Sequence, residues 1–187
     1  MPINLGSTPP SPLAIENVRP SVDGGRFPIK RVVGDMLVVT ATVFRDGHGL
    51  IVPLLKYKEK NSDRPWHEVE MESVNPGLDL WQGRFELEQN GRYQYTIDAY
   101  TDVYRYWLKY SAKKFDDGQD IESDLLEGEQ LVAETVERQG RDSYLAPTLG
   151  RIREADSQAA RMSIFSERRM IFFSFSGCRC ADAISTS

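Results

Sequence analysis

Cysteine is nearly missing from this sequence: Cys178 and Cys180 are the only two, both close to the C-terminus. Two thiols one residue apart cannot brace a fold, so a core has to come from apolar packing, as expected in a reducing compartment. Histidine is as scarce. His48 and His67 have neither the spacing of a metal set nor that of a nucleophilic triad, and both read as surface or rim residues. Cys178-Arg179-Cys180 offers two soft ligands, too few for a structural metal site. No metal and no cofactor are expected. Long apolar runs are absent too. "MIFFSF" is far short of the ~20 residues that span a bilayer, so no membrane partner is expected. The first twelve residues, "MPINLGSTPPSP", lack the basic and apolar regions of a signal peptide and read as a disordered lead-in. Excess basic charge is also wanting. A net charge of −5 removes the broad electrostatic case for nucleic acid. A soluble cytoplasmic chain is the expectation.

What is present is strand pattern. "DMLVVTATVF" (35–44) is dense in β-branched residues on both faces, as in a central strand. "RDGHG" then supplies a turn, and "LIVPLLKYK" (50–58) continues, with Pro53 predicting an edge or a bulge because it has no N–H for a ladder. "IENVRP", "WHEVEM" and "LWQGRFEL" are further short strands, and "NPGLD" is a turn. In "QNGRYQYTIDAY", Tyr93, Tyr95, Ile97 and Ala99 alternate with Arg92, Gln94, Thr96 and Asp98, so one face is buried and one is wet. Six or so short strands at this spacing predict an immunoglobulin-like antiparallel β-sandwich over residues 13–101.

The period then changes. Tyr104, Trp107, Leu108, Ala112 and Phe115 fall at helical spacing, with Asp102 as N-cap and Gly118 as the left-handed stop. A second helix follows over 120–137, with Ile121, Leu125, Val132 and Val136 on one stripe. Residues 116–137 carry nine Asp or Glu and no Lys or Arg, which reads as a solvated face. "PTLGRIREADSQAARMSIF" (147–165) reads as a third helix. The expected fold is thus α+β, mainly β: a sandwich, a helical insert of two to three helices over 102–165, and an irregular tail over 166–187.

Three sets of residues carry functional readings. The first is "SVDGGRFPIKRVVGD" (21–35). A phosphate loop needs glycines after a strand and at a helix N-terminus, usually with Lys-Ser or Lys-Thr. Here the glycines precede a strand and Lys30-Arg31 is followed by valines, so turn chemistry leading into a sheet is the better reading. The second set is the carboxylates. A glycoside-cleaving site needs two of them facing each other at a set separation, and no alternation of strands and helices exists here to hold such a pair. The third is the aromatics. Trp66, Trp81 and Tyr100 are candidates for contact with a sugar face, against the plainer reading that patterned rings fill the core. Tyr93 also fits a corner tyrosine whose hydroxyl is tied to nearby backbone.

These strings bring a resemblance. "IENVRPSVDGGRFPIKRVVGD", followed by "VFRDGHG", "LWQGRFEL", "GRYQYTIDAYTD", Trp107 and "DGQDIESDLLEG", resembles the opening of the GlgE-type α-1,4-glucan:maltose-1-phosphate maltosyltransferases over about residues 15–135. The resemblance implies a β-sandwich with a helical insert, followed in family members by a (β/α)-barrel. That barrel carries the aspartate nucleophile and glutamate acid/base of a retaining transfer from maltose 1-phosphate to α-glucan ends. No catalytic residue of the family maps onto this sequence. The resemblance therefore implies a non-catalytic portion, inactive alone, whose partners are the catalytic barrel, a second copy in a homodimer and α-glucan. Arg26, Lys30 and Arg31 are the candidate interface residues. A stand-alone α-glucan-binding module is the alternative. The tail departs from the family's style, and a truncated or frame-shifted reading frame after about residue 165 is the expectation.

Overall fold

The computed structural model describes residues 13–140, 143–167 and 184–185. The proline-rich lead-in, Cys178, Cys180 and most of the expected tail lie outside them. The chain divides into two compact units, residues 1–101 with 181–187, and residues 102–180.

The first unit is built from β1 (Leu13–Arg19), β2 (Met36–Arg45), β3 (Ile51–Glu59), β4 (His67–Glu70), β5 (Glu72–Asn75), β6 (Leu80–Glu86), β7 (Tyr93–Thr101) and the two-residue β8 (Ile184–Ser185). They form two antiparallel sheets, ordered β1-β2-β6-β5 and β4-β3-β7-β8. Leu37, Val39, Ala41 and Val43 of β2 are buried and pack with Leu55, Phe85, Ile97 and Ala99 into one core between the sheets. Two ring contacts border it: the Tyr57 and Phe85 ring centres lie 4.0 Å apart, and His67, opposite Tyr57 on β4, stacks with Tyr57 at 5.1 Å.

Three details differ from the sequence reading. β2 is central, between β1 and β6, yet only one of its faces is buried, because Met36 and Val38 point outward and are exposed. β3 is not an edge: it pairs with β4 and with β7. Pro53 is tolerated there because its carbonyl accepts from Met71 N–H, so its nitrogen also faces that side, where β4 has already ended. "WHEVEM" and the residues after it form two strands, not one. At buried Met71 the chain leaves β4 in one sheet and enters β5 in the other.

The second unit has four helices: α1 (Val103–Asp116), α2 (Glu122–Gln139), α3 (Ala146–Glu154) and α4 (Gln158–Phe165). Asp102 caps α1, its carboxylate accepting from Arg105 N–H at 2.8 Å, and Gly118 ends that segment at φ 71°. The expected third helix is two. Ala155 turns extended and Ser157 opens α4, its hydroxyl accepting from Ala160 N–H, so a second N-cap interrupts the run. Tyr104, Trp107, Ile121, Leu125, Val132, Ile152 and Phe165 form the helical core. The acidic side of α2 is less solvated than its composition implies. Asp124, Glu129 and Glu122 take ion pairs from Lys114, Arg153 and Arg161, each at 2.7 Å. Among the described residues no helix is long and apolar enough to cross a membrane.

Candidate functional site: a basic cleft in the sandwich unit

The β1–β2 connection is a chain of turns. Val22 bridges Phe27 around a short 3-10 turn at Asp23–Gly25, where Gly24 and Gly25 take φ of 62° and 89°. Those values favour glycine, which accounts for the pair. A second turn follows. The Asp35 carboxylate accepts from Val32 N–H at 3.0 Å, Gly34 N–H donates to Leu87 at 2.8 Å, and Leu87 N–H donates back to Asp35 at 3.0 Å. The opening motif is thus stitched to the segment after β6.

Facing it is the β6–β7 connection and the start of β7. Lys60 at the end of β3 donates its N–H to Arg92 at 2.6 Å, and the Tyr93 hydroxyl oxygen accepts from Gln89 N–H at 3.3 Å. That is the corner contact expected of Tyr93. The Tyr95 hydroxyl donates to the Pro20 carbonyl and joins the two walls. Burial holds the Tyr95 phenol above its ordinary pKa, and the nearby positive charge of Arg31 works against that rise.

Between the walls is an open cleft of about 1020 Å³. Arg26, Lys30 and Arg31, singled out from sequence, line it, and Lys60 and Arg92 join them. Sequence reading missed those two. The signal lay in the register of β3 against β7: Glu59 opposite Tyr93 sets Lys60 beside Arg92. Phe27, Tyr93 and Tyr95 supply apolar surface, and no Asp or Glu is in the lining.

The three aromatic candidates do not converge. Trp66 precedes β4, is half-buried, and carries the Lys58 ammonium 5.1 Å from its ring centre. Trp81 belongs to β6 in the other sheet, packs on the core and donates its indole N–H to Val43 at 3.1 Å. Tyr100 is only 1% exposed, so it offers no ring face to a sugar. The reading of it as a carbohydrate contact is corrected on that ground. His48 and His67 are both exposed. Among the described residues no group of three or more His, Cys, Asp or Glu is placed to hold a metal ion.

The antiparallel sandwich and the capped helical unit define an α+β chain, mainly β. Residues 11–171 match the family described as alpha-1,4-glucan:maltose-1-phosphate maltosyltransferase, domain N/S. The chain belongs to that family. It is 41% identical over 127 residues to the enzyme of that name from Myxococcus xanthus (strain DK1622), covering 66% of this chain and 19% of the relative. The Rhodospirillum rubrum (strain ATCC 11170) enzyme is 39% identical over 137 residues, covering 68% and 20%. The Cereibacter sphaeroides enzyme is 36% identical over 156 residues, covering 81% and 26%. The chain thus spans a fifth to a quarter of the length of these relatives.

Proposed function

We propose that this chain is a non-catalytic supporting part of a maltosyltransferase that builds α-glucan from maltose 1-phosphate in the cytoplasm. It serves domain assembly and dimerisation. The observation that carries the reading is the match to domain N/S, one named part of the enzyme, by a chain covering only 19% to 26% of three relatives. The cleft chemistry agrees with it. Retaining glycosyl transfer takes two opposed carboxylates about 5 Å apart, and this cleft is lined by cations. The catalytic barrel is the partner the role requires, and Arg26, Lys30 and Arg31 are its proposed contacts or those of a second subunit.

Two measurements test the reading. Phosphate release from maltose 1-phosphate by the purified chain should equal the no-enzyme blank; turnover would refute the role. Arg26→Ala with Lys30→Ala in a full-length relative should weaken assembly on a sizing column with light scattering, and an unchanged oligomer removes the interface assignment. A second reading, an α-glucan-binding module, has one favouring observation in the half-buried Trp66 ring. It requires retardation in glycogen-containing gels that falls when Trp66 is replaced by Ala.

A further inference from the structure

Lys30, Arg31, Lys60 and Arg92 line the cleft, are exposed, and form no ion pair among the described residues. Arg26 alone is paired, to Asp23 at 3.2 Å, in an exposed contact that is weak in water. Asp35, the other carboxylate of this connection, is held by Val32 N–H. Five cations and no lining carboxylate, in a chain of net charge −5, is a concentration of one sign that pure surface chemistry does not call for. Such a cleft focuses positive potential and attracts anions.

The ends of the lining connections are anchored: the Gly34–Leu87, Leu87–Asp35, Lys60–Arg92 and Tyr95–Pro20 hydrogen bonds tie them to the sandwich, which lowers the ordering cost of binding. Tyr93, Tyr95 and Phe27, the last 57% exposed, add apolar surface beside the charges. The cleft is open to solvent and, at about 1020 Å³, large enough to admit a small molecule.

We infer that this cleft binds a small phosphate-bearing ligand, its phosphate held by the side chains of Arg31, Lys60 and Arg92 rather than by loop N–H groups. Guanidinium forks match phosphate oxygens in pairs, and an ammonium adds a point charge. The inference goes beyond the supporting role proposed above and does not depend on it; it takes Arg31 for the phosphate and leaves Arg26 and Lys30 to the assembly contact.

Calorimetric titration of the 187-residue chain, at ionic strength held constant with chloride, decides it. The probes are inorganic phosphate, a hexose 1-phosphate and the neutral hexose. Saturable binding is expected for the phosphate-bearing probes and none for the neutral sugar. Tighter binding of the hexose 1-phosphate identifies a sugar phosphate as the ligand; equal binding identifies the free anion as sufficient. Lys60→Ser with Arg92→Ser should weaken binding about tenfold or more, since charge-assisted hydrogen bonds are lost. Arg84→Ser, exposed on β6 outside the cleft, should leave it unchanged. The single variants Lys60→Gln and Arg92→Gln, each weakening binding severalfold, keep the comparison open should the double variant lose stability. No saturable heat, equal binding of the neutral hexose, or unaltered affinity in the cleft variants overturns the inference, as does saturable binding of an acidic peptide alone.

Discussion

The indole of Trp107 occupies the space that a side chain on Gly128 would need. A Cβ at that position would meet Trp107 Cζ2 at 2.2 Å. α1 and α2 touch closely here, and the indole N–H donates to the Asp124 carbonyl at 2.7 Å, so the ring cannot simply swing away. Gly128→Ala in a free helix should stabilise by about 1 kcal/mol. In this protein it should destabilise by about 1–3 kcal/mol, because overpacking wins. Urea unfolding followed by tryptophan fluorescence reads the sign, and a raised midpoint removes the packing argument.

Gly83 makes the same kind of contact in the sandwich. A Cβ there would lie 2.9 Å from Leu55 Cδ2 and 3.2 Å from Met71 Cγ, two buried side chains of the core. Gly83→Ala should cost about 1–3 kcal/mol, with Gly83→Val worse. The thermal midpoint should fall in that order. Equal midpoints for glycine and valine would show that the core yields freely.

Asp102 is buried and caps α1, and it also lies 3.4 Å from the Arg105 guanidinium. Asp102→Ala should lose about 1–2 kcal/mol, and Asp102→Asn less, since asparagine caps nearly as well. Chemical denaturation of both variants separates cap from charge: an asparagine variant as weak as alanine would assign the effect to the ion pair instead.

Lys56 sits between Asp98 at 2.8 Å and Glu68 at 3.4 Å on the outer face of the second sheet. The hydrogen bond to Asp98 is the largest cause holding the ammonium above its ordinary pKa. A folded pKa that is raised gives stability that is complete below the unfolded value of ~10.4 and is lost as pH climbs through the folded one. Lys56→Met should therefore be less stable than the parent at neutral pH, with the gap closing above pH ~10.4. Tyr57 and Tyr95, whose phenols burial also raises, weaken parent and variant alike in that alkaline range. Stability measured from pH 7 to 11.5 checks this; a constant gap would mean the charge is not what Lys56 contributes.

Much of the sandwich was legible because its turns are chemically marked: Asp-Gly after β2, Asn-Pro-Gly before β6 and Asn-Gly before β7 each stop a patterned run. β5 was not. All four of its residues are exposed, so no alternation existed to read. The break between α3 and α4 was hidden because its N-cap, Ser157, sits among residues that a continuing helix also accepts. Tyr100 lies on the face of β7 that alternation assigns to water, yet it is buried along with Thr101, a tertiary effect that period-two reasoning does not contain. In the cleft, Arg26, Lys30 and Arg31 stood out because all three fall within one six-residue stretch. Lys60 and Arg92 are 32 positions apart and meet them only through strand register.

The crossing at Met71 has a colloidal consequence. It makes β4 and β5, each four residues long, the outermost strands of opposite sheets at a shared corner. Outermost strands are where stray polypeptide adds itself and fibrils begin, and short strands bearing charge resist that growth. Glu68, Glu70 and Glu72 stud this corner, so the same kink that links the layers leaves both of them with a blunt, acidic margin unsuited to templating.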